Sequence, residues 1–563
     1  MNTLLQKATN QQVDVVEILI GKEALALLTE PDFQLQWDTL YTSCPWSTVF
    51  QSRAFVSTWY QSYITTYLPV LALAYNGEKL SGLLTLARDN IGHLVGAGAN
   101  QAEYQVWLAS EQDSTVFIKQ ALTDLFDKFP QSEISIKFAP ANTPLQWLKT
   151  DPYWQKKCFW RSVKQPLLSL NKENLSQELR KKNRREKLNR LKRQGELAFV
   201  RITDEQEFYS VLDELAIQSD FRKGAMYNKR AFQEDCFRKE FLKELFKNGL
   251  LHVTLLKVDD NVIASNASVT GKNWVHLQGI NTHSPMQAKH SPGILHFLML
   301  GVMLAEEGIS VFDLTPGSDS YKENLATDFT HATELTFGNK ANIRNKKQKY
   351  NLTEYLKNTL PRLGMAPHQL KQMSHQAAVV KEKVKLIKRR NLPQLFKKYI
   401  GGLGKTGETR AFVVQPVKGQ DQDQLIAVKK NELRDLLCYT PTATLISKWE
   451  FLMDAMRRLE SGQHVYTWQE NGDLLGYAWL SDPRSSKPAS LSKLEIPERG
   501  AILHSFYCSL SNKAQIEVFT RAVVANLDTT EFWPIYAIAN AADKVVCRGL
   551  ESLYPSLTAS NNI

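Results

Sequence analysis

The chain has 563 residues, 43% hydrophobic and 23% charged, the balance of a soluble globular protein with about two to four domains. Its six cysteines, Cys44, Cys158, Cys236, Cys438, Cys508 and Cys547, form no CxxC or Cys/His spacing, which argues against a metal site or a disulfide framework and for a reducing compartment. The formal net charge of +11 is uneven: 17 Lys/Arg stand against 3 Asp/Glu between Ala341 and Arg410, and nine basic residues lie within Arg180–Arg193.

The opening MNTLLQKATNQQVDVVEILIG lacks a basic start followed by a long apolar core, so no signal peptide is expected. The longest apolar run, near His296–Ala305, is too short to span a bilayer. From Val13 to about Pro166 the chain reads as a first α/β unit. FQSRAFVSTWYQSY, Phe50–Tyr63, has helical aromatic spacing; Val70–Tyr75 and Ser81–Ala87 are apolar strands around the turn Asn76-Gly77. A strand at His93–Val95, the glycine-rich GAGANQAEYQVWL, a helix at Thr115–Phe129 and a strand at Glu133–Phe138 follow. A basic helix is predicted from Ser176 to Gly195, then a strand at Leu197–Ile202, a helix at Asp204–Ser219 and a helical stretch at Lys229–Asn248. The hairpin His252–Val258 and Val262–Val269 leads into a strand, helix and strand between Trp274 and Phe337.

Residues 341–410 read as a basic, partly helical linker. Its segment 375–400 is amphipathic, suiting either a charged linker or contact with anionic lipid at the inner face of a membrane. Residues 411–563 repeat the hairpin signature at Glu470–Leu480. Strand Ala501–Leu510, helix Lys513–Leu527, strand Pro534–Asn540 and helix Asn540–Tyr554 complete this unit. Where its ligand loop should lie, SLSNKAQ carries no glycine, though its serines suit a helix cap.

Ser291-Pro292-Gly293 opens an apolar helix directly after a strand. Free N–H groups and a partial positive charge at a helix start suit a pyrophosphate. Pro292 is at no disadvantage in a first helical position, Ser291 is a favourable N-cap residue, and Gly293 permits close approach. Asp313, late in the next strand, and then Tyr321-Lys322 follow at that strand's end, where α/β folds often place chemistry.

These segments resemble the GNAT acyltransferase fold in tandem. More narrowly, Leu175–Phe337 is similar to the CelD-like acetyltransferases, themselves related to FemAB peptidoglycan aminoacyltransferases. LRKKNRREKLNRLKRQGELAFV resembles the family's basic entry helix. SPGILHFLML followed by EEGISVFDLTPGSDSYKENL resembles its run of SPG-helix, Phe-Asp and Gly-x-x-x-Tyr-Lys. AEYQVWL resembles a common Asp-Tyr-x-Asp segment, with Glu103 in place of the first Asp and Val106 near the second. The resemblance implies an α/β fold of tandem GNAT-like domains, mixed sheets flanked by helices. The expected domains are 1–166, a catalytic 167–340, the linker 341–410 and a degenerate GNAT-like 411–563.

By that resemblance Lys289, His290, Ser291, Gly293 and Ile294 cradle the cofactor, acetyl-CoA or another acyl-CoA. Acyl transfer to an amine needs a base, donors for the oxyanion and an acid for the thiolate. Asp313 is a candidate base or turn cap, His276 a base or a hydrogen-bonded structural residue, and Tyr321 an acid or a packing residue. Lys322, Arg184, Arg185, Arg193, Glu103 and Tyr104 are candidate acceptor contacts, and His283 and His290 are expected to face solvent. The implied function is an acyl-CoA-dependent N-acyltransferase, N-acetyl first, acting on an amino sugar or a polysaccharide or cell-envelope precursor in the cytoplasm. A FemAB-type enzyme using aminoacyl-tRNA and a non-catalytic scaffold at the membrane are the alternatives. DNA binding has no motif to support it, and no metal is expected.

Overall fold

The computed structural model describes residues 15–317, 319–359, 376–382, 384–385, 409–415, 426–441, 446–482, 500–509, 512–527, 534–541 and 543–556. The architecture is mixed α/β, two mixed sheets flanked by helices. The larger sheet contains β1 (Val16–Ile20), β2 (Leu68–Asn76), β3 (Lys79–Arg88), β4 (Leu94–Gly96), β5 (Leu108–Ala109), β6 (Ile134–Ala139) and β7 (Cys158–Ser169). It continues with β8 (Leu197–Ile202), β9 (Leu251–Val258), β10 (Asn261–Gly271), β11 (Trp274–His283), β12 (Val311–Asp313) and β13 (Asp328–Phe337). Its order is β1-β2-β3-β4-β6-β13-β7-β12-β11-β10-β9-β8, with β5 on β3.

The centre of this sheet exchanges strands between halves. β13, from the second half, pairs with β6 of the first, while β7, which ends the first half, pairs with β12 of the second. β7 and β13 lie antiparallel from Leu167↔Asp328 to Cys158↔Phe337. The expected boundary at 166/167 therefore falls inside β7. Sequence analysis misses β7 because FWRSVKQ has little apolar character, and four of its residues are exposed. The strand is held by its two neighbours rather than by its own pattern.

In the second half β9, β10 and β11 form an antiparallel meander, and β11 then runs parallel to β12 for three residues: Trp274↔Val311, Val275↔Phe312 and His276↔Asp313. Beyond His276 the two strands part. A bulge in the β10–β11 ladder, between Ser268↔Gly279 and Val269↔His276, leaves Leu277 and Gln278 out of register. Gly279 sits at φ 137°, and a Cβ there would lie 2.0 Å from Ala267 O, so only glycine fits the bulge. The helix Pro292–Glu306 covers this half; its Gly301 lets the helix Lys172–Arg180 approach, since a Cβ would lie 2.9 Å from Leu175.

Several expected elements differ. The basic helix breaks at Lys181, whose ψ of 138° is extended, giving Lys172–Arg180 and Lys182–Lys192. Glu178 gathers Lys181 and Arg184 across the break, which offsets their mutual repulsion. The helix ending at Ser219 in the sequence reading continues to Tyr227, because Phe221 and Ala225 extend its buried face. Lys229–Asn248 is two helices, Ala231–Glu234 and Arg238–Lys247. Tyr321 and Lys322 lie on a short helix, Ser320–Leu325. In the linker, Lys340–Thr359 is helical; the segment 375–400 lies largely outside the described residues.

The second sheet contains β14 (Thr409–Val413), β15 (Lys429–Lys430), β16 (His464–Glu470), β17 (Asp473–Ser481), β18 (Ala501–Cys508) and β19 (Ile535–Asn540), ordered β14-β19-β18-β17-β16-β15. This unit docks on the helix Glu205–Tyr227. Phe221 and Ala225 share a core with Leu436, Phe451 and Leu452, and Trp449 Nε1 donates to Ala225 O at 2.9 Å.

Candidate functional site

Among the described residues three parallel strand pairs part after two or three residues. Their contents differ. Between β4 and β6 the gap is filled by the chain itself: Gln105 N donates to Phe138 O at 2.9 Å, and Lys137 N donates to Gln105 Oε1 at 2.8 Å. A Cβ on Gly96 would lie 2.6 Å from the Gln105 side chain, so no room remains there. Between β18 and β19 there is a cavity of about 250 Å³, lined by His504, Ser505, Phe506, Asn540 and Asp543. Asn512, not a serine, caps the helix Lys513–Ala525. Between β11 and β12 the gap widens into a cleft of about 1410 Å³.

This cleft brings together Ser291, Gly293, Ile294, Tyr321 and Lys322 of the predicted set. Ser291 holds the N-cap position, but its side chain does not cap the helix. It adopts φ 52°, and its Oγ accepts from Lys187 Nζ at 2.8 Å. Pro292 has no N–H, and the N–H groups of Ile294 and Leu295 donate to Ser291 O, at 3.1 and 3.3 Å. The Gly293 N–H has no acceptor among the described residues. A Cβ on Gly293 would lie 3.1 Å from His283 Cδ2, so a larger residue would press on that ring.

His283 is half-buried on the cleft wall. Its Nε2 accepts from Arg222 Nη1 at 2.5 Å. Burial, and then Arg222, hold its pKa down to about 4, so the ring is neutral near pH 7. His290 is buried, with its Nε2 3.2 Å from Gln194 Nε2; burial lowers its pKa, helped by Lys289. Neither Lys289 nor His290 borders the cleft. Arg184 lies with Asn183 and Lys187 in an adjoining pocket of about 350 Å³ that shares Ser291, Ile294, Ser320 and Tyr321 with the cleft. Arg185 and Arg193 are exposed outside both.

Tyr321 stacks on Phe297, with centroids 6.1 Å apart and planes at 7°. Burial, and then Asp319, raise its pKa, so it stays a protonated donor near pH 7. Lys322 is 7% exposed and donates to Thr315 Oγ1 at 2.9 Å. Thr315, at φ 64°, occupies a region rare for a β-branched residue. Its N–H donates to Asp313 Oδ1 at 2.9 Å, which with Lys322 fixes this turn at the cleft rim.

Asp313 and His276 meet, but not in the cleft. Asp313 is 0% exposed; its Oδ2 accepts from Tyr104 Oη at 2.7 Å and lies 2.8 Å from His276 Nδ1. Burial and then Asp313 keep Tyr104 protonated. His276 packs among Phe50, Tyr104 and Trp274. Glu103 does not itself border the cleft but is paired at 2.7 Å with Lys137, which does. Tyr104, Asp313 and His276 thus form a buried polar link between the two halves, reaching the cleft only through Thr315. Sequence reasoning missed Arg222, Lys223, Gln278 and Arg238, which line the cleft, and Glu460, which the third unit adds. The signal for Arg222 and Lys223 was present in FRKGAMY, whose apolar spacing continues the preceding helix.

The acetyltransferase (GNAT) domain family matches residues 179–323. No curated protein matches the chain. Among solved structures, FemX aligns at 9% identity over 53% of this chain and 95% of its own, with a TM-score of 0.38. A tandem GNAT protein from the clavulanic acid biosynthesis pathway aligns at 12% identity, 57% and 98% coverage and TM-score 0.35. L-PGS from Bacillus licheniformis aligns at 11% identity, 55% and 91% coverage and TM-score 0.35. The family match spans the bulged β11, the helix opening at Gly293 and the tyrosine beside it: residues 179–323 form an acetyltransferase (GNAT) domain.

Proposed function

We propose that the chain is an acyl-CoA-dependent N-acyltransferase, N-acetyl in the first instance, acting on an amino sugar or a related polysaccharide or cell-envelope precursor. One observation carries this reading: of the three strand gaps, the one inside the family match is the large cleft, and it is bordered by both a free helix-opening N–H and a protonated tyrosine. The residues fit a pyrophosphate-bearing donor. The Gly293 N–H lacks an acceptor, Lys187 stands at Ser291, and no side chain at 293 fills the approach. When bound, acyl-CoA supplies the activated thioester carbonyl.

The chain supplies proton transfers. Asp313 and His276 are enclosed, and of the four carboxylates bordering the cleft Glu234 is paired with Arg230 and Asp235 accepts from Tyr63, Gln101 and Phe237, so the base is sought in Asp319 and Glu460. Burial raises the pKa of Glu460, although Arg222 opposes this, and the shift favours proton acceptance. As the amine nitrogen bonds to the acyl carbon, its proton passes to the carboxylate. As the carbon–sulfur bond breaks, Tyr321 gives its phenolic proton to the thiolate. Thr315 and Lys322 hold the rim between them.

The aminoacyl-tRNA reading keeps one supporting observation: the exposed cations of Lys182–Lys192 lie beside the helix opening, where a polyanion would approach. Calorimetric titration with acetyl-CoA, and with charged and uncharged tRNA, separates the two. Micromolar acetyl-CoA binding, weakened at least about 100-fold by Gly293→Asp through charge repulsion and pressure on His283, is expected. Unchanged affinity in that variant would remove the cofactor assignment, and tight salt-sensitive tRNA binding without acetyl-CoA binding would replace it.

A further inference from the structure

Besides the exposed Lys229, the cofactor and proton-transfer residues leave two cations in the cleft without a task. Lys223 lies near the C-terminal end of the helix Glu205–Tyr227, and Arg238 opens the helix Arg238–Lys247; both border the cleft beside the bulge residues Gln278 and Gly279. Arg238 is 8% exposed, and its Nε has no hydrogen-bond partner. Its Nη2 reaches Gly279 O only at 3.4 Å, longer than an ordinary N–H···O bond. Its guanidinium is positioned over the Phe232 ring, 5.0 Å from the centroid, which fixes its plane. The Lys223 ammonium makes no hydrogen bond or ion pair with a described residue.

Asp220 and Asp235 attract these cations through space, but no carboxylate is hydrogen-bonded or ion-paired to either among the described residues. Asp220 accepts from Phe232 N at 3.0 Å and Gln233 N at 2.8 Å. Asp235 accepts from Tyr63 Oη at 2.7 Å, Gln101 Nε2 at 3.1 Å and Phe237 N at 3.1 Å. Glu234 pairs with Arg230 at 3.1 Å. Burial, and then Arg238, hold the Lys223 pKa down to about 8, the mark of an ammonium that lacks a close anion. A buried guanidinium edge with an unmet donor beside an unpaired ammonium is costly unless a ligand completes it.

We propose that Lys223 and Arg238 form an oxyanion subsite that holds a phosphate or carboxylate group of the acceptor. The word acceptor rests on the acyltransferase reading above; the anion site itself does not. The Arg238 edge suits two oxygens of one planar or tetrahedral group, and Lys223 adds a point charge. The acceptor is therefore an amine that carries an anionic group, seated in the cleft with that group away from the reacting nitrogen.

The test uses the full chain with inorganic phosphate and succinate as probes, each titrated by calorimetry alongside acetyl-CoA. Because the Lys223 ammonium makes no hydrogen bond or ion pair with a described residue and is held out of water, Lys223→Met is expected to match or exceed the wild-type melting temperature. One or both anions are expected to bind the wild type and to bind Lys223→Met about tenfold more weakly, the loss of one charge-assisted contact, while acetyl-CoA affinity is unchanged. Preference for phosphate identifies a phosphorylated acceptor, and preference for succinate a carboxylated one. The proposal is overturned if neither anion binds the wild type, if Lys223→Met and Lys223→Gln bind them as well as the wild type, or if acetyl-CoA weakens in parallel. Lys223-dependent anion binding with no acetyl-CoA binding would sustain the subsite and remove the acyl-CoA reading instead.

Discussion

Asp313 shows how much one buried carboxylate organises. It accepts from Tyr104 in the first half and Thr315 at the cleft rim, and it contacts His276 in β11, with no exposure to water. Removing it leaves three polar groups enclosed without their acceptor. Asp313→Ala is expected to cost about 3–5 kcal/mol in urea unfolding, with Asp313→Asn costing clearly less because it preserves shape and an acceptor oxygen. A loss below about 1 kcal/mol for the alanine variant would mean that the link is not what holds the halves together. The sequence placed Asp313 late on a short strand, and that placement is right. It could not tell which way the carboxylate faces, because Tyr104 lies 209 positions earlier and arrives only through tertiary packing. Gly293 and Tyr321 were legible because each belongs to a compact local motif. Lys223 and Arg238 were not, since their facing depends on how two separate helices meet a distant bulge.

At the scale of elements, the bulge in β11 decides where the cleft opens. The parallel pairing with β12 ends at His276, and the bulge follows at once, so the remainder of β11 turns its Leu277–Gly279 edge to the cleft. Gly279 permits this through its φ of 137° and its contact with Ala267 O. Gly279→Ala is therefore expected to destabilise by about 1–3 kcal/mol or more in urea unfolding, through backbone strain and the clash together. It should also weaken acetyl-CoA binding, because the distorted strand borders the same cleft. A variant as stable as the wild type would show that the strand can take another register. The hairpins and the helix at Gly293 were readable from periodicity and turn residues. The weld by β7 was not: its exposed polar stretch gains order from two neighbours that sequence pattern alone does not reveal.

Across the whole molecule, packing of the third unit on the helix Glu205–Tyr227 places Glu460 in the cleft, so site and assembly share one set of contacts. Burial holds histidines neutral in the second half of the large sheet and in the third unit. Burial, reinforced by Arg222, holds His283 to about 4; burial holds His296 to about 4. Burial with Lys430 holds His464 to about 4, and burial with Arg458 holds His504 to about 3. Their unfolded value is about 6.5, so between that pH and about 4 the unfolded chain binds protons that the folded chain refuses. Stability is thus fully present above about 6.5 and falls as the pH falls, levelling off below the folded values. The carboxylates raised by burial, Glu214, Asp220, Asp435 and Glu460, act with the opposite sign, since the folded state protonates them first. Their contribution grows as the pH falls towards the ordinary carboxylate range, whereas that of the histidines begins at about 6.5. Scanning calorimetry at pH of about 7.5, 6.5 and 5.5 should give a melting temperature that is flat over the first interval and falls over the second. His283→Gln, which keeps an acceptor for Arg222 but cannot titrate, should make that fall shallower. A melting temperature that holds or rises between about 6.5 and 5.5 would show that these rings take up protons in the folded state, and with them that the packing around the cleft opens.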